Sequence, residues 1–153
     1  QSGEAPVINS CAFPVYIVPV APTGQLSPPQ LVPAGQTWSH DIQYVAGHGV
    51  SLKVSKTDNF AWPIMQFEYT AESSDIVWYN LSFLDCVKGK DASACPGWEY
   101  GVQAVCGSGD SFRCEPNEYC DKNGYFIPEG GYLPTSPVKQ CKKSGGVTFE
   151  LCA

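Results

Sequence analysis

Ten side chains in this sequence could carry position-dependent chemistry: eight cysteines and two histidines. An even number of thiols with no Cys-x-x-Cys pair, in an acidic chain, reads as four disulfides made in an oxidising compartment. Cys11 and Cys152 stand near the two ends, whereas Cys86, Cys95, Cys106, Cys114, Cys120 and Cys141 all lie in the second half. With every thiol bridged, none is left as a nucleophile or a metal ligand. His40 and His48 then remain. Ser39-His40-Asp41 is contiguous and cannot form a catalytic triad, whose members converge from separate segments. The two histidines with Asp41 lack a third ligand at motif spacing, so neither a metal nor another cofactor is expected.

The elements that must position such groups are strands. The 153 residues include 15 Gly and 13 Pro, too many breakers for a helical bundle, and the apolar stretches are short and rich in Val, Ile, Phe, Tyr and Trp. Val50, Leu52 and Val54 alternate with Ser51, Lys53 and Ser55. Met65, Phe67 and Tyr69 alternate with Gln66 and Glu68, and Val77, Tyr79, Leu81 and Phe83 with Trp78, Asn80 and Ser82. Period two with one polar face predicts half-buried antiparallel strands, hence an all-β sandwich. Val7–Asn9, Val15–Val18, Thr37–Tyr44 and Gly146–Leu151 read as further strands. Residues 19 to 35 read as a proline-rich extended loop, and the pattern dissolves beyond Cys86.

Composition also limits the partners. Net charge is −6 with nine scattered Lys and Arg, the densest group being Lys139, Lys142 and Lys143, which excludes a nucleic-acid groove or an anionic lipid surface. No apolar run approaches the ~20 residues that cross a membrane. With no leader-like segment, Gln1 reads as a mature start exposed by cleavage. The expected location is secreted, extracellular or cell-wall associated, and the expected partner is a polysaccharide or an extracellular protein. Asn80-Leu81-Ser82 is an acceptor sequence for N-glycosylation. Trp62, Trp78 and Trp98 are candidate stacking platforms for sugar rings.

Six segments in order, VINSCAFPVYI, PAGQTWSHDI, GVSLKVSKTD, FEYTAESSDIVWYNLSFLD, CPGWEYGVQAVC and VTFELC, resemble the thaumatin-like proteins. The likeness is strongest to the small fungal secreted versions and the yeast-phase-specific (Bys) family. It implies one domain over 1–153, a flattened antiparallel β-sandwich from 1–85 and 146–153, with 86–145 as a disulfide-stapled loop region. It also implies Cys11–Cys152 and Cys95–Cys106 bridges; of the four cysteines left, Cys114–Cys120 is expected to close a short loop and Cys86–Cys141 to tie the lobe to the sheet.

The family's acidic cleft, carried over position by position, falls on Lys53 or Lys56, Glu68, Asn80 and Asp85. Asn80 stands where the family has an Asp, and the loop-region Asp has no counterpart. The resemblance therefore implies binding without catalysis. Two rival readings are a weak β-1,3-glucan hydrolase using Glu68 and Asp85, and an effector or inhibitor acting through the 107–140 loops.

Overall fold

In the computed structural model, described for residues 3–107, 110–127 and 136–153, the alternating segments become two stacked sheets. In chain order the strands are β1 (Val7–Asn9), β2 (Val15–Ala21), β3 (Gly24–Gln25), β4 (Gln30–Val32), β5 (Thr37–Trp38) and β6 (Val50–Ser55). They continue with β7 (Met65–Ala71), β8 (Ile76–Ser82), β9 (Val102–Cys106), β10 (Ser111–Cys114), β11 (Lys139–Lys142) and β12 (Val147–Leu151). One sheet runs β10-β9-β12-β1-β5; the other runs β11-β8-β7-β6-β2-β3, with β4 also on β2. Pairing is antiparallel except between β1 and β12, which lie parallel with Asn9 opposite Leu151.

The core forms where the two apolar faces meet. Leu52, Phe67 and Leu81 are cross-strand neighbours in the larger sheet, and all three are fully buried. Phe67 stacks on Phe149 of the smaller sheet, with ring centroids 4.9 Å apart. Tyr79 meets Phe112 edge-on at 5.9 Å. A buried aromatic of this kind is worth about 3–5 kcal/mol against truncation to Ala.

Three local expectations need correction. The proline-rich stretch is not all loop: β2 runs through Pro19 to Ala21, and β3 and β4 lie within 19–35. Pro19 is tolerated because it sits between the segments of β2 paired to β4 and to β3. Its carbonyl accepts from Leu26 on that side, so its missing N–H interrupts no ladder. The strand foreseen over Thr37–Tyr44 stops at Trp38. Beyond that point Ile42 donates to Gly3 and Gln43 to the Tyr69 hydroxyl, so the backbone leaves the ladder. Finally, 86–145 is not only stapled loop, since it supplies β9, β10 and β11.

Two of the four disulfides match the expectation, Cys11–Cys152 and Cys114–Cys120. The other two are exchanged: Cys86 bonds Cys95, and Cys106 bonds Cys141. Cys95–Cys106 is ruled out by geometry. The turn at Trp98–Tyr100 and all of β9 separate them, and a five-residue strand alone spans about 16 Å. Instead the chain after Phe83 reverses through a Lys88–Asp91 bridge and returns Cys95 to Cys86, Cα atoms 5.0 Å apart. Cys86–Cys141 fails for a related reason. Cys141 is held opposite Val77, nine residues back along the chain from Cys86, and faces Cys106 across the sandwich.

Non-reducing peptide mapping should therefore recover Cys86 linked to Cys95 and Cys106 linked to Cys141; a Cys95–Cys106 peptide would contradict this structure. Removing the end-to-end bridge with Cys11→Ala and Cys152→Ala together should cost about 4–5 kcal/mol, as expected for a closed loop above 100 residues, read by denaturant unfolding.

Candidate functional site

Burying Phe67 forces its neighbours Gln66 and Glu68 to the opposite face of β7, and the same rule exposes Ser51, Lys53 and Asn80. These side chains form the floor of a cleft of about 600 Å³. One wall is Val20–Pro22 at the β2–β3 turn, and the other is Tyr125 with Val138. Tyr125 is fixed there by backbone bonds to Leu81 and Phe83, which prolong β8 where β11 no longer reaches it.

Register decides which polar groups meet. Ser51, Glu68 and Asn80 form one row across β6, β7 and β8, and Lys53, Gln66 and Ser82 form the next. In the first row Asn80 Nδ2 donates to Glu68 Oε1 at 2.8 Å. In the second, Gln66 Oε1 accepts from Lys53 Nζ at 2.7 Å and from the Ser51 hydroxyl at 2.8 Å, while Gln66 Nε2 donates to Asp85 Oδ2 at 2.7 Å. Gln66 is thus the hub, 5% exposed and bonded at both ends of its amide.

The cleft brings together Lys53, Glu68 and Asn80, with Asp85 attached through Gln66. Lys56 does not join them. It lies beyond the end of β6, with Nζ over the Phe13 ring at 4.4 Å from the centroid, and lines two hollows elsewhere. Lys53, on the polar face by alternation, occupies the position instead. Gln66 was visible in the sequence as a polar-face residue next to Glu68, but its role depends on which strands lie on either side. Of the three candidate platforms, Trp98 is buried, with its indole donating to Glu118, and Trp78 donates to Glu72. Trp62 is half exposed, outside this cleft. Part of the 107–140 segment lies outside the described residues, namely 108–109 and 128–135.

A second constellation buttresses the cleft. Gln43 N–H donates to the Tyr69 hydroxyl at 2.9 Å, which leaves the hydroxyl proton for Nε2 of neutral His40 at 2.7 Å. Trp38 stacks on the same imidazole at 4.9 Å. Burial lowers the His40 pKa to about 4 against an opposing pull from Asp41, and burial pushes Tyr69 up to about 12. These are structural groups: they pin the 39–49 segment to β7, whose Tyr69 and Thr70 border the cleft.

The two sheets and the cleft on the larger one define the thaumatin-like β-sandwich class. The structure of the thaumatin-like xylanase inhibitor TLXI superposes with a TM-score of 0.60 over 97% of this chain and 99% of that one, at 15% identity. More particularly, the chain belongs to the Bys1 family, the Blastomyces yeast-phase-specific proteins, whose model matches residues 1–153. The protein elicitor MoHrip2 from Magnaporthe oryzae is similar over 99% of this chain and 100% of its own, with 28% identity and a TM-score of 0.74. No curated protein matches the chain.

His40 sets a pH window. Its folded pKa is about 4 against about 6.5 unfolded, so the unfolded chain binds the extra proton first. Its stabilising contribution is whole above pH ~6.5 and is lost as pH falls toward ~4. Thermal midpoints measured across that interval should fall, and His40→Gln should flatten the dependence; an equal slope in the variant would remove His40 from this role.

Proposed function

We propose that this chain is a secreted, non-catalytic binding protein of the effector type. Its polar cleft would take a hydroxyl-rich chain such as a β-glucan-type cell-wall polysaccharide. The observation that carries this reading is the amide pairing of Glu68 in the cleft and of Asp85 behind Gln66. Glu68 accepts from Asn80 and Asp85 accepts from Gln66, in separate rows. Glycoside hydrolysis needs two carboxyl groups flanking one bond, one as acid and one as base or nucleophile. Here the position that would complete such a pair beside Glu68 is an amide. What the floor offers instead is an ammonium group, one carboxylate and amides held in fixed register, a set suited to sugar hydroxyls.

Four disulfides support secretion, since such bridges persist in oxidising compartments. Asn80 enters this reading unmodified. A glycan on Nδ2 would fill the cleft that Asn80 lines, so glycosylation and ligand binding exclude each other at this residue. A protein partner is the second reading, favoured by the 28% identity to an elicitor over nearly the whole chain.

The purified protein should be retained on insoluble β-1,3-glucan and release no reducing sugar from it. Gln66→Ala strips Lys53 and Asp85 of their shared partner and should weaken retention about tenfold, the scale of a lost hydrogen bond to charged groups. Sugar release that disappears in Glu68→Gln would instead establish the hydrolase. Elicitation without retention on glucan would move the reading to a protein partner.

A further inference from the structure

The cleft leaves unexplained where this protein keeps its exposed aromatic rings. Among the described residues three large aromatics are exposed: Tyr44, Trp62 and Tyr100. Two of them line neighbouring hollows, together termed the groove. A hollow of about 500 Å³, lined by Ser10, Phe13, Lys56, Glu99 and Tyr100, meets another of about 210 Å³, lined by Thr57, Asn59 and Trp62, at the shared side chain of Lys56.

Each wall residue sits on anchored backbone. Tyr100 projects from the Trp98–Tyr100 turn, which the buried Trp98 and its indole bond to Glu118 hold in place, and is 61% exposed. The Phe13 carbonyl accepts from the fully buried Asn9. Trp62, 50% exposed, precedes Ile64, whose N–H donates to the Asp85 carbonyl. Ser55 accepts from the Thr57 N–H and so fixes the turn that carries Lys56.

The cations give the groove its selectivity. Lys56 Nζ lies 4.4 Å from the Phe13 ring centroid, and Lys88 Nζ lies 4.9 Å from that of Trp62. The only salt bridge among the described residues is Arg113–Glu115, so neither lysine is held in an ion pair there. The same unit therefore occurs twice: an ammonium group over one face of an aromatic ring, so that on Trp62 only the face away from Lys88 can serve a sugar. A ring offers a surface to the C–H face of a pyranose, and an ammonium group within reach offers a counter-charge to a carboxylate on that sugar. Glu99, next to Tyr100 in the chain, lines the larger hollow and adds a negative charge there.

We propose that this groove is a second binding site, for a uronate-bearing polysaccharide chain. Trp62 and Tyr100 serve as stacking platforms, with Lys56 and Lys88 as carboxylate partners. The site shares no residue with the floor of the cleft and does not depend on that reading.

The test is calorimetric titration of the intact protein with hexagalacturonate and with cellohexaose as the uncharged control. Hexagalacturonate should bind at least tenfold more tightly. Trp62→Ala and Tyr100→Ala should each weaken it about tenfold, the scale of a lost stacking contact. Lys56→Gln should reduce the preference for the acidic chain, and Gln66→Ala in the cleft should leave the titration unchanged. All three groove side chains are exposed, and an unaltered near-UV spectrum would show that the variants fold. No binding of hexagalacturonate at ~1 mM, equal affinity for cellohexaose, or loss of binding in Gln66→Ala with retention in Trp62→Ala would each overturn the proposal. Retention on insoluble β-1,3-glucan that falls in Gln66→Ala and is unchanged in Trp62→Ala reports on the cleft, so the two sites fail separately.

Discussion

The stacking of Phe67 on Phe149 is the contact on which the rest of this structure depends. It holds the two sheets face to face, and through the strand period it also fixes what faces water. With Phe67 inward, Gln66 and Glu68 cannot be anywhere but outward, and the register of β6 and β8 brings Lys53 and Asn80 beside them. Core and cleft are therefore one specification read from two sides. A slip of β7 by one residue would turn Gln66 and Glu68 into the core and Phe67 out of it, so it carries two penalties at once.

The cleft's polarity is self-contained to an unusual degree. Gln66 satisfies a cation on one strand and a carboxylate beyond another through the two ends of a single amide, and it does so while nearly buried. A carboxylate at this position could accept from Lys53 and Ser51 but could not donate to Asp85. An apolar residue would leave all three without their partner. The amide is therefore the side chain type that closes the network, and a closed network on the polar face gives a rigid floor.

Legibility in the sequence followed the range of the interaction. Val50–Ser55, Met65–Tyr69 and Val77–Phe83 announced themselves because alternation is local, and they are β6, β7 and β8 nearly residue for residue. Lys53, Glu68 and Asn80 followed from the same alternation. What escaped depended on distant chain. Cys106 finds Cys141 only because β9 and β11 end near each other on different sheets, and Gln66 becomes a hub only through its neighbours' register. Strands β9 to β11 were hidden for another reason: Val102–Cys106 buries only Val, Ala and Cys in a stretch crowded with Gly and Cys, Ser111–Cys114 has four residues, and Lys139–Lys142 is a polar edge. Lys56 was misplaced because a spacing carried over from larger relatives says nothing about where a strand stops.

The parallel pairing of β1 with β12, locked by Cys11–Cys152, makes the molecule a covalent ring from residue 11 to residue 152. An extracellular protease that cuts one exposed loop in that span opens the ring but frees no fragment. The cut ends remain attached to strands whose ladders are intact, and the piece between them has nowhere to diffuse. Two cuts that escape the three inner bridges are needed before mass is lost. Wherever the chain meets a protease, this converts a single nick from the loss of a fragment into a change of linkage.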